Sequence, residues 1–156
     1  MNSLGNIIGE LCKVILPIHE ESYIGNSDSS IAICTLSSMD LLKKISESEI
    51  LNHISIVGRL LSENKGINSI IKYVNQNKKI KTIIICGKEV LGHKAGHSLL
   101  ELHKNGIDNY GKIINSTSPD PFLTVTKSEI NYFQNEINLV NLINETNFDT
   151  IKKCVI

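Results

Sequence analysis

The stretch Lys81-Thr-Ile-Ile-Ile-Cys-Gly87 admits few folds. Its β-branched and apolar residues run on without the polar alternation of a half-solvated strand. It therefore predicts a strand covered on both faces, the habit of parallel sheets flanked by helices. A short turn containing Gly92 follows. Ala95, Leu99, Leu100 and Leu102 then recur at helical spacing, and Asn105-Gly106 supplies a stop. Two earlier runs have the same character, Ile31-Ala-Ile-Cys-Thr-Leu36 and Ile54-Ser-Ile-Val-Gly58. The first leads into residues 39–51, where Leu41, Leu42, Ile45 and Ile50 mark a helix. The second leads through Ser62-Glu-Asn-Lys-Gly66 into a helix with Ile67, Ile70, Ile71 and Val74 on one face.

Strands alternating with helices of this length predict an α/β fold, Rossmann-like, with a mostly parallel sheet and helices on both faces. Residues 4–16 form an expected amino-terminal helical arm that ends at Pro17, and residues 20–30 an expected polar loop. Residues 111–114 read as a short fourth strand. Residues 115–123 hold two of the three prolines, which bars them from a helix or a central strand. Thr126-Lys-Ser-Glu129 matches a capping box opening a helix with Ile130, Phe133 and Ile137. Residues 138–143 either extend that helix or, the preferred reading, form a short strand, and an amphipathic piece at 148–155 completes the chain. No repeat or linker divides it, so a single domain over 1–156 is expected. Ligands of open α/β sheets bind beyond the carboxyl ends of the strands, so residues 36–38, 58–66, 87–93 and 115–123 should converge.

Sixteen Lys+Arg balance sixteen Asp+Glu and no basic stripe stands out, which argues against a nucleic-acid partner. No apolar run approaches the ~20 residues that span a bilayer. The four cysteines, Cys12, Cys34, Cys86 and Cys154, form no Cys-x-x-Cys pair, and the start lacks an export signal. A cytoplasmic location with free thiols is the expectation.

Three of the five histidines, His93, His97 and His103, fall in the turn and helix after residue 87. His93 follows a glycine at the end of a buried strand, where an imidazole can be offered to a metal standing over the sheet. Such a ligand needs an acceptor for its second ring nitrogen, which Glu89 or a backbone carbonyl could supply. The bland alternative is a surface histidine without a role. His93 and His97, four apart, share a helix face and suit zinc, but no third ligand is evident. Gly92-x-x-x-Gly96 is neither a dinucleotide fingerprint nor a phosphate loop. These glycines either admit a bulky flat ligand or allow tight helix packing. Ser62-Glu63-Asn64 is a helix start that could also edge a polar ligand site.

Four blocks carry a family resemblance: Gly58-x-x-x-Ser-Glu-Asn-x-Gly-Ile67, Cys86-Gly-x-Glu-Val-x-Gly-His-x-x-Gly96, Leu102-His-x-Asn-Gly-Ile-Asp108 and Gly111-Lys-Ile-Ile114. Across residues 16–143 the chain resembles the corrinoid-binding A subunit of the tetrahydromethanopterin S-methyltransferase of methanogenic archaea. The resemblance implies a cobamide cofactor (cobalamin or 5-hydroxybenzimidazolyl cobamide) with His93 as lower axial cobalt ligand. It implies a methyl carrier between methyl-tetrahydromethanopterin and coenzyme M, inactive without separate methyltransferase subunits for donor and acceptor. Those subunits belong to a sodium-moving membrane complex, which would place this chain at the membrane periphery. The cofactor contacts expected from it are Leu36, Ser37, Ser38, Gly58, Ser62, Glu63, Asn64, Gly66, Gly87, Glu89, Gly92, Gly96, His97, Pro121 and Phe122. The chain departs from the family at His97, commonly glutamine, at residues 118–125, and at Leu16, often tryptophan. The family's carboxyl-terminal anchor has no counterpart before Ile156, which predicts a truncated form or a soluble paralogue. Two other readings remain: a corrinoid-binding protein that stores cofactor, and an α/β hydrolase or nucleotide-binding domain with a His93–His97 metal pair.

Overall fold

The structure is a computed structural model that describes residues 21–156. The arm at 1–16, Cys12, Leu16 and Pro17 lie outside the described residues. Five strands form one sheet: β1 (Ser22–Ile24), β2 (Ile31–Cys34), β3 (Ile56–Gly58), β4 (Thr82–Ile85) and β5 (Asn138–Asn141). Their spatial order is β1-β3-β2-β4-β5; β1 runs antiparallel to β3 and every other pair is parallel. The helices are α1 (Met39–Ser46), α2 (Lys65–Gln76), α3 (Ala95–Asn105), α4 (Lys127–Glu136) and α5 (Phe148–Lys153), with a 3-10 turn at Glu49–His53.

The uninterrupted apolar strands have the predicted consequence. On one face Ile83 and Ile85 of β4 pack with Ile67 and Ile71 of α2, Leu99 and Leu102 of α3, and Ile130 and Phe133 of α4. On the other, Ile84 and Cys86 pack with Leu41, Leu42 and Ile45 of α1 and with Ile151 of α5. Successive strand side chains point to opposite faces, so both faces of β4 must be apolar, and helices cover both. Each fully buried Ile or Leu contributes about 1.5–3 kcal/mol. The Rossmann-like α/β expectation holds.

Four details differ from the sequence reading. Residues 22–24, expected in a loop, pair with β3 as a short, exposed edge strand; three residues are too few for a hydrophobic pattern to announce them. Residues 111–114 do not join the sheet and make only isolated bridges, Ile107 with Ile113 and Lys112 with Phe122. Asp108 holds that segment in a turn, its carboxylate accepting from the Tyr110 and Lys112 N–H groups at 2.8 and 3.0 Å. The helix expected over 39–51 ends at Ser46, because Ser48 turns its hydroxyl onto Ile45 O and Ile50 N and opens the 3-10 turn. The strand expected over 31–36 stops at Cys34, and Leu36 takes φ 50°.

The connection from β2 to β3 runs through α1 on one face, and that from β3 to β4 through α2 on the other. The chain therefore reverses its winding between β2 and β4, which neighbour each other directly. The carboxyl ends of those two strands are where open α/β sheets form their binding crevice.

Candidate functional site

His93 sits in the turn between β4 and α3. Its Nδ1 lies 2.9 Å from Oε2 of Glu63, in the loop between β3 and α2. The His93 side chain is 57% exposed while that of Glu63 is 1% exposed, so a buried carboxylate holds a ring that faces solvent. Oε1 of Glu63 accepts the Asp120 backbone N–H at 2.9 Å. Asn64 completes the link: Nδ2 donates to Asp120 O and Oδ2, each at 3.1 Å, and Oδ1 caps α2 through the Lys65 N–H at 2.7 Å. Burial alone would push the Glu63 carboxyl up. Its hydrogen bonds, from its own and the Asp120 backbone N–H and from His93, outweigh that and hold it below the usual carboxylate range. An ionised Glu63 only accepts, so Nδ1 carries a proton, and in the neutral ring the lone pair is on Nε2. No hydrogen bond engages Nε2 among the described residues.

Glu63 is thus the acceptor that the sequence reading sought in Glu89 or a backbone carbonyl. Glu89 works elsewhere: its carboxylate accepts the N–H groups of Gly96 at 3.0 Å and His97 at 2.8 Å, in the first turn of α3. That replaces the missing side-chain cap, because Lys94, the residue before the helix, adopts φ 48° and makes no cap bond. No sequence signal separates these two acids, since both precede a helix.

The four strand-end segments do meet, through hydrogen bonds. Ser37 donates from N–H and hydroxyl to Lys88 O at 3.1 and 2.8 Å, and the Lys88 N–H reaches Ser38 Oγ at 2.8 Å. A cavity of about 420 Å³ opens beside them, walled by Ser37, Ser38, Lys44, Lys88 and Phe148. Ser62 accepts the Gly66 N–H at 2.8 Å. His97 points at the proline-bearing loop, where the Thr117 N–H donates to Nε2 at 3.1 Å. Ser98 binds the same loop through the hydroxyls of Ser116 and Ser118, each at 2.6 Å. Phe122 is 44% exposed while Pro121 is buried. His103 leaves the rim altogether: its Nε2 contacts Ile137 O at 2.7 Å and its ring edge meets Phe133.

The glycines separate by what surrounds them. A Cβ on Gly87 would stand 2.1 Å from Thr35 O, and Gly96 is packed by Glu89, Ile143 and Leu36, so these two serve close packing. Gly58 abuts Ser22 of the edge strand. A Cβ on Gly92 (φ 80°) would meet nothing within 4 Å. Gly92 directly precedes His93, and both residues are exposed.

His93 and His97 are committed to different partners, Glu63 and Thr117. Among the described residues no group of three or more His, Cys, Asp or Glu could hold a metal ion. Cys34 and Cys86 are buried and Cys154 is exposed, and burial pushes the Cys86 thiol far up, leaving it a packing residue.

The sequence profile of MtrA, the family of the A subunit of tetrahydromethanopterin S-methyltransferase, matches residues 14–156. The chain belongs to this family. Its relatives include the A subunit of the putative methyltransferase Mtx of Methanosarcina barkeri, 38% identical over 89% of this chain and 68% of that protein. The protein of the same description in Methanosarcina acetivorans is 34% identical over 89% of this chain and 67% of its own length. The first A subunit ("A 1") of the tetrahydromethanopterin S-methyltransferase of Methanothermobacter thermautotrophicus is 34% identical over 87% and 56%. The chain thus spans about two thirds of the Methanosarcina relatives and little more than half of the Methanothermobacter one. Among the described residues no helix is long and apolar enough to cross a membrane.

Proposed function

We propose that this member of the MtrA family is a cobamide-bearing methyl carrier, with Nε2 of His93 as the lower axial ligand of cobalt. The observation that carries this reading is the pairing of an exposed imidazole with a buried carboxylate. Glu63 fixes the Nδ1–H tautomer, aims the ring and raises the basicity of Nε2, the usual support of a metal-bound histidine.

A bare ion would need three or four protein ligands. A macrocycle brings its own equatorial donors and asks the protein for one. A lone outward imidazole beside the open Gly92 fits the second case. When bound, the cobalt would supply the methyl-accepting and methyl-donating chemistry. The protein's part is to position it. Glu63, itself bound by the Asp120 N–H, orients the histidine, and Ser98 and His97 hold the loop of residues 115–123.

Carriers of this kind act with separate subunits that bind the methyl donor and acceptor. Identity is 38% to the Mtx protein of Methanosarcina barkeri and 34% to the Methanothermobacter protein. These identities do not separate the two groups, and it is the altered loop at 118–125 that favours service to a methyltransferase other than the methanopterin–coenzyme M complex. The test is reconstitution with cobalamin beside the His93→Ala variant. Wild type should give the spectrum of an imidazole-ligated, base-displaced corrinoid, whose Co(II) nitrogen hyperfine splitting changes from three lines to two on 15N-histidine labelling, a change that the variant should not show. Identical spectra would remove His93 from the cobalt. Methyl transfer to added partner subunits separates a carrier from a store.

A further inference from the structure

His97 differs from His93 and His103 in what faces its ring. Nδ1 of His93 meets the Glu63 carboxylate and Nε2 of His103 meets the Ile137 carbonyl, and both partners are acceptors. A second proton on either ring enters at the other nitrogen, so both bonds survive in the imidazolium. Nε2 of His97 instead receives the Thr117 backbone N–H at 3.1 Å, a group that can only donate. That bond exists only while Nε2 keeps its lone pair, so the neutral ring carries its hydrogen on Nδ1. The next proton then falls on the atom that holds the loop.

The other anchors of this part of the loop do not titrate. Ser116 and Ser118 share the Ser98 hydroxyl, each at 2.6 Å, and Ser118 Oγ donates to Lys94 O at 3.2 Å. Residues 115–119 carry no charge. The ionisable groups nearest His97 come from its own helix and the turn before it. The Glu89 carboxylate accepts the His97 N–H at 2.8 Å, and Lys94 Nζ lies 3.4 Å from Thr117 Oγ1. His93 and Glu101 stand four residues to either side, His93 held by Glu63 and Glu101 accepting from Asn105 at 2.7 Å. A protonated Nε2 has one substitute acceptor, Thr117 Oγ1 at 3.2 Å, but it would share that oxygen with the Lys94 cation.

We propose that His97 is an acid-released clasp on residues 115–118. Protonation of Nε2 turns the Thr117 N–H out to solvent, while the Ser98 hydroxyls keep the rest of the segment in place. Thr117 is exposed, so water can take its N–H and no buried donor is left unpaired. Opening therefore costs one net hydrogen bond, small enough for a single proton to drive. The clasp involves no bound group and stands or falls separately from the function proposed above.

NMR of the full chain without added ligand, across the titration of His97, tests this. Long-range 15N–1H correlation should find Nε2 unprotonated in the neutral ring. As that nitrogen gains its proton, the hydrogen-exchange protection factor of Thr117 should fall about tenfold, the scale of one lost hydrogen bond. The fall should share the midpoint of the ring, and the amides of β4 should keep their protection. His97→Gln offers an acceptor oxygen that does not titrate, so Thr117 should stay protected throughout. His93→Ala should leave the wild-type response intact. A neutral His97 protonated at Nε2 overturns the proposal, as does protection at Thr117 that persists through the titration of the ring. A fall that survives His97→Gln, or one abolished by His93→Ala, assigns the response to another group and overturns it equally.

Discussion

Replacing Glu63 by glutamine keeps the side chain's shape and exchanges one acceptor oxygen for a donor NH2. Two partners face that carboxylate at 2.9 Å, the Asp120 backbone N–H and Nδ1 of His93. The backbone group can only donate, so the amide oxygen must turn to it; an NH2 placed there would leave two buried donors in contact, at about 1–3 kcal/mol. The NH2 then faces His93, whose Nδ1 must become the acceptor. The proton moves to Nε2, and the outward nitrogen changes from lone pair to N–H. The stability cost is small, because the His93 side chain is 57% exposed. The lost charge assistance is about 1 kcal/mol after solvent screening. Glu63→Gln should therefore unfold within about 1–2 kcal/mol of wild type while its tautomer inverts. Long-range 15N–1H correlation of the His93 ring above its titration reads this directly and needs no cofactor. A protonated Nδ1 retained in the variant would refute the claim that the carboxylate sets the tautomer.

Gly87→Ala should cost about 2–5 kcal/mol, since φ is 78° and the new Cβ would stand 2.1 Å from Thr35 O. Gly92→Ala, with φ 80° and nothing within 4 Å, should cost only the backbone strain of about 1 kcal/mol in a urea titration. His97→Ala removes the acceptor of the Thr117 N–H and should speed hydrogen exchange at Thr117 about tenfold, with the amides of β4 unchanged. Acid sensitivity follows from Glu63, whose carboxyl titrates below its ordinary value when folded. Its contribution is fully present above the unfolded pKa of ~4.3 and is lost as pH falls through the folded value. Urea midpoints measured from about pH 6 down to pH 3 should fall less steeply in Glu63→Gln than in wild type.

Much of the fold was legible because its signals are local and repeated. The runs at 31–36, 54–58 and 81–87 lack polar alternation, and that pattern alone demands cover on both faces. The capping box at Thr126 is present with both of its bonds. What escaped was set by partners distant in sequence or by single polar side chains that turn the chain locally. The edge strand at Ser22–Ile24 exists because β3 offers it a register, and residues 111–114 stay out of the sheet because Asp108 curls them first. The site shows the same division. His93 could be singled out from Gly92 and the strand before it, whereas its support comes from 30 residues away. Spacing along the chain cannot distinguish Glu63 from Glu89, since each carboxylate precedes a helix and only the tertiary arrangement assigns them.

That arrangement also bears on how a change at the proposed ligand, His93, would reach a partner. The two oxygens of one buried carboxylate bind the histidine and the backbone of Asp120, so neither bond can adjust without tilting the other. Asp120 stands between the segment anchored by Ser98 and His97 and the half-exposed Phe122. A displacement of the ring therefore has a short, hydrogen-bonded route into residues 115–123. If this coupling operates, Glu63→Ala should uncouple the two. Ligation of His93 would then leave the amide resonances of Thr117 and Phe122 unmoved, whereas in wild type they should shift. Equal shifts in both proteins would mean the loop senses the corrin ring itself and not the histidine beneath it.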